Sequence, residues 1–140
     1  MADNVEIFER VLQTFGTEGL EAAVQYFTED AEVYDPDLPP GDYRGPEAVL
    51  RVCRQLMEGF ANVEIKAFKL YSVGDRVIAL LHTKSKGEED DIEMEVYDAH
   101  SITFRDGKIS YWRLYPSQAE ALEDAGLDPS LALTPSSSDG

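Results

Sequence analysis

Cysteine occurs only once, at Cys53, so no disulfide can close within the chain and nothing in its covalent chemistry calls for an oxidising compartment. Basic residues are scarce: 12 lysines and arginines stand against 28 aspartates and glutamates, a formal charge of -16. Such an excess repels phosphate backbones and anionic headgroups, which excludes nucleic acid and membrane surfaces as natural partners. No apolar run reaches membrane-spanning length without charges, and the opening MADNVEIFER lacks the basic region and apolar stretch of an export signal. A cytoplasmic protein is the expectation. Glycine-rich phosphate loops, CxxC and GxSxG are missing, and the two histidines, His82 and His100, form neither HxH nor HxxxH spacing. No metal and no cofactor are therefore expected.

What is present is enough for one packed domain. Of 140 residues, 43% are hydrophobic and 10% aromatic, which supplies a core and argues against global disorder. Val5, Phe8, Val11, Leu12 and Phe15 recur at helical spacing, with Asp3 or Asn4 as N-cap and Gly16 as a stop. Thr17 can cap a second helix on which Leu20, Ala23, Val24 and Phe27 share a face. In GPEAVLRVCRQLMEGF, Pro46 sits in a first turn while Val49, Val52, Cys53, Leu56, Met57 and Phe60 form one broad apolar face.

From Val63 the period changes to two. VEIKAFKLYSV, RVIALLHTKS, DIEMEVYDAHSITF and KISYWRLY read as four strands joined by the short turns VGD, KGEED and RDGK, an antiparallel meander. The acidic run at 87–91 reads as a solvated hairpin end. SQAEALEDAG is a closing helix with Ser117 and Glu120 in capping-box spacing and Gly126 at its end, and the chain past Leu127 reads as a mobile tail. Helices first and strands afterwards predict an α+β fold.

Three polar features interrupt the apolar pattern. In VYDPDLPPGDYRG a β-prone run stops at Asp35, held between Tyr34 and Pro36. Asp35 either opens a turn, as Asp-Pro favours, or is a carboxylate aimed into a pocket by a rigid loop. On the third long strand Ile92, Met94, Val96, Asp98, His100, Ile102 and Phe104 share the face predicted to meet the core. Asp98 and His100 are polar intrusions there, close enough to interact, and read either as a satisfied core pair or as proton-transfer groups. Parity leaves the direction of His82 open. Trp112 and Leu114 alternate with Tyr111, Arg113 and Tyr115 and suit the inner side. Trp112, Phe8, Phe15 and Phe60 are either plain core or the wall of a pocket.

FTEDAEVYDP, YRGPEAV and FRDGKISYWRLYPSQAEALEDAGL, in that order, resemble the SnoaL-like polyketide cyclase and ketosteroid isomerase branch of the nuclear transport factor two-like superfamily. The resemblance runs to about Leu127. It implies a cystatin-like α+β fold: a cone-shaped barrel of a strongly curved, mainly antiparallel sheet covered by three N-terminal helices, with a short C-terminal helix and a pocket at the open end. Residues 1–127 would be the domain and 128–140 a flexible tail. It also implies a homodimer through the sheet, where Tyr97, Tyr111 and Tyr115 would lie.

Asp35 matches the aspartate that shuttles the proton in the isomerases. Their oxyanion tyrosine falls at Val11 and their protonated aspartate near His100, so another donor among Tyr26, Tyr34, Tyr43, His100 and Trp112 would have to stand in. The implied chemistry is acid/base isomerisation or cyclisation next to the carbonyl of a small apolar ligand. Asp35 would be the base, and His100, oriented by Asp98, the acid. Phe8, Phe15, Tyr26, Tyr34, Tyr43, Leu56, Phe60, His82, Trp112 and Leu114 would line the pocket. The alternative is a non-catalytic ligand-binding or dimerisation module of the same fold. A related epoxide hydrolase would need an Asp–Arg–Asp relay, for which Arg44 and Arg113 are the available arginines.

Overall fold

The computed structural model describes residues 3–35, 43–57, 60–87 and 92–133. Helix α1 (Asn4–Glu18) starts at Asp3, whose carboxylate accepts the Glu6 N–H while the Glu6 side chain accepts the Asp3 N–H, so two orphan donors are satisfied at once. Gly16, expected as its stop, lies inside it. The end comes at Gly19, whose φ of 97° suits only glycine and whose N–H reaches the Thr14 carbonyl at 3.1 Å. Thr17 does not cap a second helix; its hydroxyl bonds back to the Gln13 carbonyl. Helix α2 (Leu20–Ala23) is a single turn that tightens into a 3-10 turn, Val24–Tyr26, and Phe27 opens strand β1 (Phe27–Tyr34) instead of closing a helix.

Residues 43–45 return along the edge of β1. Val33 N–H donates to the Tyr43 carbonyl, Gly45 N–H donates to the Ala31 carbonyl, and Glu32 bridges Arg44. Gly45 also leads into helix α3 (Pro46–Met57), which begins on proline as predicted. Val49 and Val52 on its inner face are buried to 1% and 0% exposure.

Four strands follow: β2 (Phe60–Val73), β3 (Arg76–Gly87), β4 (Glu93–Arg105) and β5 (Lys108–Tyr115). They pair antiparallel in sequence order, and β1 adds to β5 in parallel, giving the order β1-β5-β4-β3-β2. This is the α+β architecture expected, with β1 and β2 as the edge strands and residues 43–45 along the outer side of β1. The tip of the β3–β4 hairpin, residues 88–91, lies outside the described residues. Among the described residues no helix is long and apolar enough to cross a membrane.

The sheet is covered on both faces. On its inner face α1, α2 and α3 pack Phe8, Val11, Ala23, Val49 and Val52 against Val33, Val77, Ala79, Ile102, Phe104 and Ile109. On its outer face helix α4 (Gln118–Asp124) places Ala121 and Leu122 over Ile78, Leu80, Ala99 and Tyr115. Ser117 caps α4 through the Glu120 N–H. The helix stops in a Schellman arrangement, with Leu127 N–H on the Leu122 carbonyl and Gly126 N–H on that of Glu123.

The domain boundary expected at Leu127 moves outward. Residues 128–133 are not a loose tail: Asp128 caps a 3-10 turn, Pro129–Leu131, and Leu131, Ala132 and Leu133 pack on the outer layer. Apolar residues too irregularly spaced to show a period still find a surface here. Residues 134–140 lie outside the described residues.

Candidate functional site: a Trp–His–Asp row on the inner face

The inner face of β4 carries His100, Ile102 and Phe104 into the core, as parity predicted, but the same set does not stay buried towards the other end of the strand. Ile92, Met94 and Val96 are 59%, 42% and 39% exposed. Asp98 stands where the buried half gives way to the exposed half.

The partner of His100 is set by an irregularity in β5. A two-residue turn, Asp106 and Gly107 at φ 54° and 81°, pairs Arg105 with Lys108 and Phe104 with Ile109. Ser110 is then an extra residue, its hydroxyl bonding the Thr103 carbonyl, so Thr103 pairs with Tyr111, Ile102 with Trp112 and His100 with Leu114. Without that bulge the parity of β5 would be reversed. With it, Trp112 and Leu114 share the inner face with His100, as their apolarity suggested.

Trp112 Nε1–H donates to His100 Nδ1 at 2.6 Å. An indole nitrogen can only donate, so Nδ1 accepts and the imidazole carries its proton on Nε2. That nitrogen lies 3.7 Å from Asp98 Oδ2, near enough to feel its charge but longer than a hydrogen bond. The orientation expected from Asp98 is therefore supplied by Trp112. The His100 side chain is 10% exposed and that of Asp98 30%. Asp98 Oδ1 is shut off from solvent and has no hydrogen-bond partner among the described residues.

Asp35 follows directly on β1 and is partly buried. The register pairs Val33 with Trp112 and Tyr34 with Arg113; one further step puts Asp35 opposite Leu114, which is itself opposite His100. The two groups are thus two strands apart, roughly 10 Å between backbones at the usual strand spacing.

Other expected pocket residues divide. Phe8 is buried core, and Tyr26, Tyr43, Trp112 and Leu114 pack against that core from partly exposed positions. The Tyr26 hydroxyl accepts from Thr14 Oγ1 at 3.5 Å. Tyr34 points the other way: it pairs with Arg113 on the outer face, where that guanidinium lies 5.0 Å from its ring and 4.7 Å from the ring of Tyr115. His82 is also outside, because its strand turns Val77, Ala79 and Leu81 inward; its ring stacks on Tyr97 at 4.2 Å and Nε2 meets Glu95 at 2.7 Å. The side chains of Phe15, Leu56 and Phe60 lie outside the described residues.

His82 and His100, on opposite faces, cannot share a metal ion, and among the described residues no cluster of three His, Cys, Asp or Glu side chains could hold one. Arg113 on the outer face and Arg44, paired with Glu32 at the β1 edge, do not build an inner Asp–Arg–Asp relay. Tyr115, expected at a dimer surface, is covered by its own chain: it is 6% exposed and its hydroxyl donates to Asp124 at 2.8 Å. Burial, then that carboxylate, pushes its pKa up; burial does the same for Tyr111.

Two features escaped the sequence reading. The donor role of Trp112 required the β5 bulge, for which no residue type gives a dependable signal. Gln118 required knowledge of the outer layer: buried to 4% exposure, it donates to the carbonyls of Leu81 and Asp98 and accepts the Leu133 N–H.

Comparison with known proteins fits this frame. The chain resembles an NTF2-like protein of unknown function from Burkholderia pseudomallei, with a TM-score of 0.72 at 16% identity over 88% of this chain and 97% of that one. A protein of Jannaschia named as a SnoaL-like polyketide cyclase superposes with a TM-score of 0.70 at 18% identity, over 80% and 83% of the two chains. A hypothetical protein with a ketosteroid isomerase-like fold from Catenulispora acidiphila, in complex with trimethylamine, gives 0.66 at 20% identity, over 93% and 98%. At these identities the likeness is one of fold. No curated protein matches the chain. Residues 8–112 match the SnoaL-like domain, three quarters of the chain from α1 to the tryptophan that holds His100, and the protein belongs to that family.

Proposed function

We propose that this SnoaL-like domain is an acid/base enzyme of the isomerase or cyclase type, acting next to a carbonyl on a small apolar substrate. The observation that carries the proposal is the imidazole of His100, held by Trp112 through Nδ1, with Nε2 3.7 Å from Asp98 Oδ2 and no hydrogen bond to Nε2 among the described residues. A neutral imidazole held this way is a pre-aimed donor for a carbonyl oxygen that gains charge as its neighbouring C–H bond breaks.

In this reading Asp35 receives that proton, which the β1–β5 register supports: one step past the Tyr34–Arg113 pair lies Leu114, opposite His100. The electron pair of the broken C–H bond moves into the enolate. Return of the proton to another carbon completes an isomerisation; attack of the enolate carbon on a second carbonyl closes a ring. A positioned base commonly contributes a hundredfold to ten-thousandfold in rate, and an oxyanion donor a hundredfold or more. The name borne by the Jannaschia protein agrees with this chemistry. The same reading has the protein working in the cytoplasm as a homodimer.

A screen of ketones, enones and polycyclic esters for turnover, repeated on Asp35→Asn and His100→Ala, tests it. Asp35→Asn is expected to abolish turnover while ligand affinity stays nearly intact, and His100→Ala to lower it about a hundredfold. Unchanged turnover in Asp35→Asn would remove Asp35 from the mechanism. Ligand binding with no turnover by the wild type would make the domain a binding module.

A further inference from the structure

We infer that the inner-face site takes a cationic ligand, an ammonium group on an apolar body, with Asp98 as its counter-ion. The inference rests on reading the inner face as a ligand pocket and names the kind of molecule that enters it. An aspartate beside a histidine is ordinarily neutralised by an imidazolium. Here that is blocked, because an imidazolium needs both ring nitrogens as donors and Trp112 Nε1–H already occupies Nδ1. The Asp98 carboxylate is therefore not offset by an imidazolium.

Among the described residues of β3, β4 and β5, no cation on the inner face offsets it. The inner-face positions of β3, β4 and β5 include no lysine or arginine, since Lys84, Lys86 and Arg113 all belong to the outer set. One carboxylate oxygen is already buried without a hydrogen bond among the described residues, a costly state for an anion. The charge is shared by both oxygens, so a cation at the exposed third of the side chain compensates it.

The surroundings of Asp98 suit the rest of such a molecule. Its cross-strand row runs through Leu81 to Phe68, and the next inner-face residues along β4 are Val96 and Met94. Phe68, Val96 and Met94 are 44%, 39% and 42% exposed, an apolar surface beside one negative charge. In a substrate of this kind the ammonium meets Asp98 while a carbonyl a few bonds away reaches His100 Nε2–H.

The test is calorimetric titration of the full chain at fixed ionic strength with cyclohexylmethylammonium chloride and with its neutral counterpart, cyclohexylmethanol. The cation is expected to bind at least tenfold more tightly. Asp98→Asn, one charge among many, should abolish the preference, and so should Trp112→Phe, which frees Nδ1 and lets His100 neutralise Asp98. Asp35→Asn should leave it intact, so loss of turnover and loss of cation binding are separable failures. Equal binding of cation and alcohol, no binding of either, or a preference that survives in folded Asp98→Asn, showing attraction to the net charge only, would each overturn the inference. Should Asp98→Asn fail to fold, an undiminished preference in Trp112→Phe overturns it.

Discussion

The two faces of β3 use the same kind of residue for different ends. Val77, Ala79 and Leu81 look into the layer under α1 and α3, and Ile78 and Leu80 into the layer under α4, all at 7% exposure or less. The outer layer is covered by α4 and residues 128–133, and one of its buried polar side chains, Gln118, uses both ends of its amide. The inner layer ends in exposed apolar residues, and at that boundary Asp98 keeps an oxygen without a hydrogen bond among the described residues. Satisfied polar groups lock structure, whereas an unsatisfied one calls for an explanation, and on the outer face Arg113 Nε is likewise buried without a hydrogen bond among the described residues. The contrast is mechanical too, since Gln118 grips from outside the backbone carbonyls of Leu81 and Asp98, the strand segments that carry the site.

The largest effect is expected from inserting one alanine after Ser110. With the one-residue bulge kept, the insertion would bring Tyr111 and Arg113 to the inner face in place of Trp112 and Leu114, at a cost of more than about 3 kcal/mol for the charge alone. Trp112 is the sole tryptophan, so its emission reads the outcome directly. Cooperative unfolding with native emission in the insertion variant would show that the one-residue bulge does not set the faces.

Next come Leu80→Ala and Ile102→Ala, one in each layer, both at 0% exposure. Each should lower stability in urea by about 2–5 kcal/mol. A loss below about 1 kcal/mol for Leu80→Ala alone would mean that α4 and residues 128–133 do not form a second core.

The smallest effects are expected at the extremes of pH. Tyr115 in the outer layer has a raised pKa, so its contribution is complete below its ordinary value of 10.0 and lost as pH rises through the higher folded value. Asp30, bound by Arg105 at the exposed rim, is lowered to about 2, so its contribution is complete above 3.8 and lost as pH falls through about 2. Urea midpoints of wild type against Tyr115→Phe should converge above pH 10, and against Asp30→Asn below pH 4. Parallel curves would remove either group from the stability of its region.

Much of this was legible in the chain. Asp3 with Glu6, Pro46, Ser117 with Gly126, and the two-period strands announced the elements, because caps, turns and alternation depend on neighbours in sequence. Asp98 and His100 stood out because polar residues on an apolar alternation need a reason. His82 and Tyr34, expected in the pocket wall, turn outward instead, since alternation says which residues share a face and never which face is inside.

The amino-acid order by itself therefore determined the α+β class, the acidic surface and the pairing of Asp98 with His100 on one strand. Tertiary structure alone decided that Trp112 reaches His100, that Tyr34 and His82 turn outward, and that residues 128–133 complete an outer core. These outcomes depend on the register between strands and on which layer reaches which face. Whether the extra residue at Ser110 is taken up as a bulge decides the face of everything after it on β5, without altering any local preference.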